Sequence, residues 1–92
     1  MIRTFRDTST KKFAVGGPNK YSGMDEKLAR RRLTQLHGAT TLADLGKLNS
    51  VGLHKLKGNL RNFWSIDVSG PWRILFQFHR GDAYEVYIHD PH

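Results

Sequence analysis

Hydrophobic and polar residues alternate through most of the C-terminal half of the chain. The alternation runs over residues 63–69, resumes over 72–79 and continues through Tyr84, Val86 and Ile88. A period of two residues is typical of β-strands that bury one face. The breaks between these runs contain glycine with proline or aspartate, which favours tight turns. The second half therefore predicts a three-stranded antiparallel meander.

The first residues of the chain predict a strand followed by a helical turn. Residues 1–6 have the composition of a short first strand, and Asp7, Thr8 or Ser9 would then cap a helical turn through Phe13.

Helical periodicity follows a glycine-rich loop at 16–23. Residues 24–37 predict an amphipathic helix that stops at Gly38, because apolar side chains recur there at helical spacing. A second short helix is predicted from Thr40 or Thr41 to Gly46. The apolar stripe of the longer helix consists of Met24, Leu28, Ala29, Leu33 and Leu36.

These elements predict an α+β fold. The apolar residues of the meander fall at even-numbered positions, so one face of the sheet must be covered, and the helix at 24–37 is the element expected to cover it. We therefore expect a small antiparallel sheet of about four strands with two to three helices on one face. The odd-numbered face carries Arg73, Gln77 and Tyr87, and is expected to be open to a ligand.

Composition narrows the class of partner. A chain of 92 residues predicts one domain spanning 1–92, and its net charge of +7 favours a polyanionic partner, either nucleic acid or an anionic membrane surface. Cysteine is absent, which excludes disulfides and thiolate metal sites. The five histidines lack the spacing of a zinc site, so neither a metal nor a cofactor is expected. The sequence shows no apolar signal region and no long apolar run, which predicts a cytosolic protein.

Five residues of the second half suit the cleavage of RNA without a metal: His54, Lys57, Arg73, Asp90 and His92. In that reaction a base takes the proton of the 2′-hydroxyl, an acid protonates the leaving 5′-oxygen, and cations hold the charge on the phosphate. Histidine serves as acid or base near neutral pH, and the arginine fork matches two phosphate oxygens. Asp90 either orients His92 or is the base itself.

The end of the chain has a conflict of register. Pro91 favours an extended Asp90, which would place Asp90 and His92 on the same side. Strict alternation after Ile88 sends both to the core face, so we expect the strand to end or bulge near His89.

Several of these residues also have a purely structural interpretation. Arg73 would then pair with Asp67 across the sheet, and Lys57 would be an ordinary loop lysine. The arginines at 30–32 would form a helix surface, and His79 and His89 would be ordinary strand-surface residues.

The ordered set of motifs resembles the HigB branch of the RelE-type toxins. The similarity is carried by the residues at 56–58, 63–66, 72–76 and 81–84 and by the terminal Asp-x-His. It implies a RelE-like fold and a toxin that cleaves mRNA in the ribosomal A site by metal-free attack of the 2′-hydroxyl. It places catalysis or phosphate contact at His54, Lys57, Arg73, Asp90 and His92. It also implies a helix-turn-helix antitoxin of the HigA type, the 70S ribosome as partner, no membrane, and indirect DNA binding through the antitoxin complex.

The chain departs from that family at Pro91, where the family usually has tyrosine. A tyrosine there would stack on a base, which is worth about 1–3 kcal/mol. Pro91 keeps apolar contact without a hydroxyl, and Tyr87 and Gln77 are the other expected substrate contacts. An alternative function is therefore an RNA- or ribosome-binding protein that is catalytically weak or inert. A third is an interaction domain whose basic surface binds an acidic protein.

Overall fold

Within the described part of the chain, three α-helices are followed by a four-stranded sheet. The computed structural model describes residues 1–48 and 50–90. The strands form one antiparallel sheet in sequence order, as the meander predicted, and the α+β class is confirmed. The elements are α1 (Thr8–Ala14), α2 (Glu26–Gly38), α3 (Leu42–Gly46), β1 (His54–Lys55), a 3₁₀ turn (Gly58–Leu60), β2 (Trp64–Asp67), β3 (Arg73–His79) and β4 (Asp82–His89).

Side-chain caps determine where the helices begin. In each helix the capping oxygen accepts a hydrogen bond from the backbone N–H three residues later, at 2.8 Å for Asp7, 3.0 Å for Asp25 and 3.1 Å for Thr41. Asp25 is extended, so α2 starts at Glu26 rather than at the predicted residue 24. The caps at Asp7 and Thr41 agree with the sequence prediction.

The core lies between the helices and the even-numbered face of the sheet. Phe13 of α1 and Leu45 of α3 are fully buried there, so α1 and α3 cover the sheet together with α2, and the expected two to three helices on one face are confirmed. The most deeply buried members of this core are Phe13, Ala29, Leu36, Leu45, Ile66, Ile74, Phe76, Ala83 and Val86. Among the described residues, no helix combines the length and the apolar character needed to cross a membrane.

A β-bulge interrupts β4 at Glu85. Leu75 pairs with Tyr87, whereas Gln77 pairs with Tyr84, so the register shifts between the two pairs. Glu85 has a φ of 53°, which produces the bulge. The shift puts Ala83 on the core face and Tyr84 on the face of Gln77, so the predicted inward position of Tyr84 is wrong.

The prediction that the strand ends or bulges near His89 is confirmed in its first form, because β4 ends at His89, whereas the bulge lies upstream at Glu85. Because the extra residue lies upstream, β4 stays paired through His89, which is opposite Arg73. Asp90 follows directly after the strand and is half-buried.

The predicted first strand at residues 1–6 is wrong. The segment makes isolated parallel bridges to β4, at Ile2 and Phe5. The bulge prevents a continuous ladder, because the amide of Glu85 donates to the Thr4 hydroxyl at 2.8 Å instead of to backbone. The fourth strand of the sheet is instead β1, at the opposite edge.

The arginines at 30–32 differ from one another, and the predicted helix surface is wrong for Arg32. Its side chain is 4% exposed and donates to the carbonyls of Asp67 and Ser50, both at 2.8 Å, and to Gln35 at 2.9 Å. Burial lowers the pKa of Arg32, and the charge of Arg31 acts in the same direction. Arg32 therefore fastens the loop before β1 to the end of β2.

Candidate active site

A cleft of about 200 Å³ lies on the odd-numbered face of the sheet, away from the helices. Strands β2, β3 and β4 form its floor and the segment after β1 forms its wall. Its lining residues are Leu56, Leu60, Ser65, Arg73, Leu75 and His89. A larger cavity of about 450 Å³ lies between the N-terminal segment, α1 and α2, but none of the predicted site residues lines it.

The odd-numbered face is less open than expected. Ser65 is 4% exposed and Leu75 is 2% exposed, because the segment at 56–63 folds back over the sheet. A hydrogen bond of 3.1 Å from the Leu56 amide to the Phe63 carbonyl closes that segment, and Gly58 turns it with a φ of 67°. The covering segment turns an open face into a cleft.

Arg73 is the most firmly held cation of the cleft. Its Nε lies 2.9 Å from Oδ1 of Asp67, and its Nη1 donates to the carbonyls of Gly70 and Trp72, both at 3.0 Å. The pairing with Asp67 that the sequence offered as an alternative is therefore present. A pair that is about one-third exposed adds little stability, so the main effect of Asp67 is to orient the guanidinium.

Asp67 is itself fixed by the loop that precedes β1. Its amide donates to the Val51 carbonyl at 2.7 Å, and its carboxylate lies against Gly52. A Cβ at residue 52 would overlap that carboxylate, and Gly52 also has a φ of 62°. Glycine is therefore required at residue 52 for both reasons.

His54 and Lys57 lie on the segment beside the cleft. His54 is exposed and is the register partner of Ser65, so it shares the odd-numbered face with the cleft floor. Lys57 is exposed directly after Leu56, which lines the cleft. The structure therefore brings His54 to the predicted face and Lys57 to its edge.

Tyr87 also lies on this face, next to the cleft. Its ring packs edge-on against Phe63 at 5.9 Å and against His89 at 5.7 Å. Burial raises the pKa of Tyr87, with Arg6 acting in the opposite direction. Gln77 lies on the same face two residues beyond Leu75, outside the described lining of the cleft.

The C-terminal site residues are only partly within the described chain. Asp90 follows His89 and so starts the terminal segment beside the cleft. Pro91 and His92 lie outside the described residues, and their roles stay predictions.

His89, predicted from the sequence to be an ordinary strand-surface residue, is a cleft residue. It lines the cleft and is directly opposite Arg73. The signal was its parity, because His89 shares its side of the strand with Tyr87. The sequence showed which face of the strand His89 lies on. It did not show that Arg73 is opposite His89 on the neighbouring strand, and without that neighbour a single histidine does not indicate a site.

The cleft combines groups that suit a phosphodiester. An arginine is held in one orientation, a histidine is its neighbour across the sheet, and a second histidine lies on the same face. An oriented guanidinium binds two phosphate oxygens, and imidazole transfers protons near neutral pH.

Comparison with known proteins agrees with this chemistry. Residues 3–92 match the family model of the HigB-like toxins, described as RelE-like toxin of type II toxin-antitoxin system HigB. The chain is also 36% identical over 94 residues to a protein of Proteus vulgaris named Endoribonuclease HigB, with all of both chains covered. The resemblance found in the sequence is confirmed, and the chain belongs to the HigB-like family of RelE-like toxins of type II toxin–antitoxin systems.

Proposed function

We propose that this toxin is an endoribonuclease that cuts mRNA in the ribosomal A site. The observation that carries the proposal is the Arg73 guanidinium, which Asp67 orients in a cleft lined also by His89. Membership of the toxin family and the similarity to a protein named Endoribonuclease HigB support the activity.

The reaction needs no group beyond the chain and the RNA. A base removes the proton of the 2′-hydroxyl, and its oxygen bonds to the adjacent phosphorus. The bond from phosphorus to the 5′-oxygen breaks as an acid protonates that oxygen. The products are a 2′,3′-cyclic phosphate and a 5′-hydroxyl.

The proposed site residues have three roles: they stabilise phosphate charge, contact nucleotides or transfer protons. Arg73 and Lys57 hold the charge that develops on the phosphate oxygens, and Tyr87, Gln77 and Pro91 contact the nucleotides. His54, Asp90 and His92 transfer the two protons, with Asp90 acting either as a base or by orienting His92.

The partners follow from the toxin class. A type II toxin–antitoxin system includes an antitoxin, and we propose a helix-turn-helix protein of the HigA type that also connects the complex to DNA. Cleavage in the A site places the toxin's action in the cytoplasm, on translating 70S ribosomes. Co-purification with the product of the adjacent gene tests the first of these partners.

The activity is tested on ribosomes programmed with an mRNA of known A-site codon. We expect cuts within that codon that leave 5′-hydroxyl ends, and no cut when the scissile nucleotide is 2′-deoxy. Cutting of the 2′-deoxy codon would contradict attack by the 2′-hydroxyl. Intact mRNA beside an active relative would favour the alternative, an RNA-binding protein that Pro91 has made inert.

A further inference from the structure

Arg6 lies on a row of aromatic rings that begins at the cleft. Its guanidinium carbon is 4.9 Å from the centre of the Tyr87 ring and 5.4 Å from that of Phe63. The Tyr87 ring in turn packs against His89, which lines the cleft. The ring row, defined as His89, Tyr87 and Phe63, thus connects the cleft to an arginine that the proposed mechanism does not use.

The backbone on both sides of Arg6 is fixed. Its amide donates to the Val86 carbonyl at 3.0 Å, and the next residue, Asp7, caps α1. The two rings restrict the side chain itself through cation–π contact. Arg6 therefore presents an oriented cation, and little conformational entropy remains to be lost on binding.

The charge of Arg6 remains available to a ligand. Arg3, Arg30 and Arg73 each lie within 4.0 Å of a carboxylate, whereas within residues 1–48 and 50–90 Arg6 is in no such pair. The nearest acidic neighbour in sequence, Asp7, uses Oδ1 to cap α1. Arg6 is also exposed, so its side chain remains accessible from solvent while it contacts Tyr87.

We propose that the RNA-binding surface continues from the cleft along the ring row, and that Arg6 contacts the phosphodiester backbone of the bound mRNA strand there. The proposal rests on the proposed function. The backbone of Arg6 lies beside β4 and that of Arg73 lies in β3, so the two are two strand spacings apart, about 10 Å across the sheet. We therefore expect the two arginines to contact different phosphates. Tyr87 and His89 are partly exposed, whereas Phe63 is 8% exposed and packs against Tyr87. Partly exposed rings with a neighbouring cation are a usual arrangement for single-stranded RNA.

The test is the affinity of the full chain for programmed ribosomes whose A-site codon is 2′-deoxy and therefore uncut. Binding is measured over a series of KCl concentrations at fixed Mg²⁺ for the wild type, Arg6→Ala, Arg6→Lys and Arg31→Ala. Arg31 is exposed on α2, away from the cleft, and is the control for loss of one charge. We expect Arg6→Ala to weaken binding about fivefold. We also expect the fall of log affinity with log salt to become less steep, by about one unit of slope. Arg6→Lys should keep the slope, because it keeps the charge.

A second arm separates mRNA from ribosomal RNA. On ribosomes whose mRNA ends after the P-site codon, Arg6→Ala should have the same salt slope as the wild type. An Arg6 effect of equal size on these ribosomes would assign the contact to ribosomal RNA and overturn the proposal. An unchanged slope with the full mRNA would also overturn it.

The outcomes separate this inference from the proposed function. A folding defect in Arg6→Ala lowers the active fraction equally at every salt concentration, so it leaves the slope unchanged. If the wild type binds but does not cut the unmodified codon, the cleavage proposal fails while the Arg6 result stands. If the wild type does not bind programmed ribosomes, both are overturned.

Discussion

Arg73 and His89 are directly opposite each other on β3 and β4, on the face of the sheet that carries the cleft. Residues opposite each other in an antiparallel pair have Cβ atoms about 4.5–5.5 Å apart. Both side chains also line the cleft, so a phosphate bound there would lie beside the two of them. This pair connects the oriented cation of the cleft to a titratable group beside it.

His89→Gln should lower the rate of mRNA cleavage by about tenfold, because glutamine can donate a hydrogen bond but cannot carry a charge beside the phosphate, and charge-assisted hydrogen bonds are about twice as strong as neutral ones. His79→Gln is the matched control, since His79 is exposed at the other end of β3. Single-turnover cleavage on programmed ribosomes measures both variants. Equal rates for His89→Gln and the wild type would remove His89 from the site.

Asp67→Asn should lower the maximal cleavage rate by about tenfold while changing the free energy of unfolding by less than about 1 kcal/mol. The change keeps the size of the side chain but removes the charge that orients Arg73. Rates measured over a range of toxin concentrations separate the maximal rate from the toxin concentration that gives half-saturation. If only half-saturation changes, Asp67 does not act through the orientation of Arg73.

Gly52→Ala should unfold more easily than the wild type and should cut poorly, because the added Cβ displaces the Asp67 carboxylate. Gly23→Ala is its control, since Gly23 has a φ of 75° and an added Cβ there would meet nothing within 4 Å. Backbone strain of about 1–2 kcal/mol is common to both variants. We expect only Gly52→Ala to lower cleavage, and equal cleavage by the two variants would contradict the role given to this loop.

Arg32→Ala should destabilise the fold by about 3 kcal/mol, because it removes a buried side chain and leaves two partly buried carbonyls without their charged donor. For a domain of this size the thermal midpoint should fall by more than about 10 °C. Arg31→Ala, one residue earlier and exposed, should stay within about 0.5 kcal/mol of the wild type. Similar midpoints for the two variants would show that Arg32 is not a structural clamp.

Much of the fold could be predicted from local chemistry. The alternation in β2 and β3 places Ile66 and Ile74 in the core, and the caps at Asp7 and Thr41 start their helices where side-chain oxygens can accept backbone hydrogen bonds. These features depend on residues close together in the chain.

The features that were not predicted depend on distant residues. The bulge residue with positive φ is Glu85, whereas a glycine there would have indicated a bulge from the sequence. The Glu85 amide also bonds Thr4, which lies at the other end of the chain. In the sequence Arg32 looks like a surface residue of an amphipathic helix. It is buried because Ser50 and Asp67, distant in sequence, supply carbonyls that accept its hydrogen bonds. The site was likewise predicted only in part. Alternation within the strands assigned Arg73 and Tyr87 to one face of the sheet, but nothing local showed that the segment at 56–63 folds over that face and forms the wall of the cleft.

The most direct test of the account is single-turnover cleavage of an A-site codon by Arg73→Ala, with the wild type and Arg31→Ala in the same assay. Thermal unfolding of each protein establishes that the variants are folded. We predict that the wild type and Arg31→Ala cut at similar rates and that Arg73→Ala is slower by at least about hundredfold, the usual cost of losing one donor to a developing oxyanion. A folded Arg73→Ala that cuts at the rate of the wild type would contradict the assignment of this cleft as the active site.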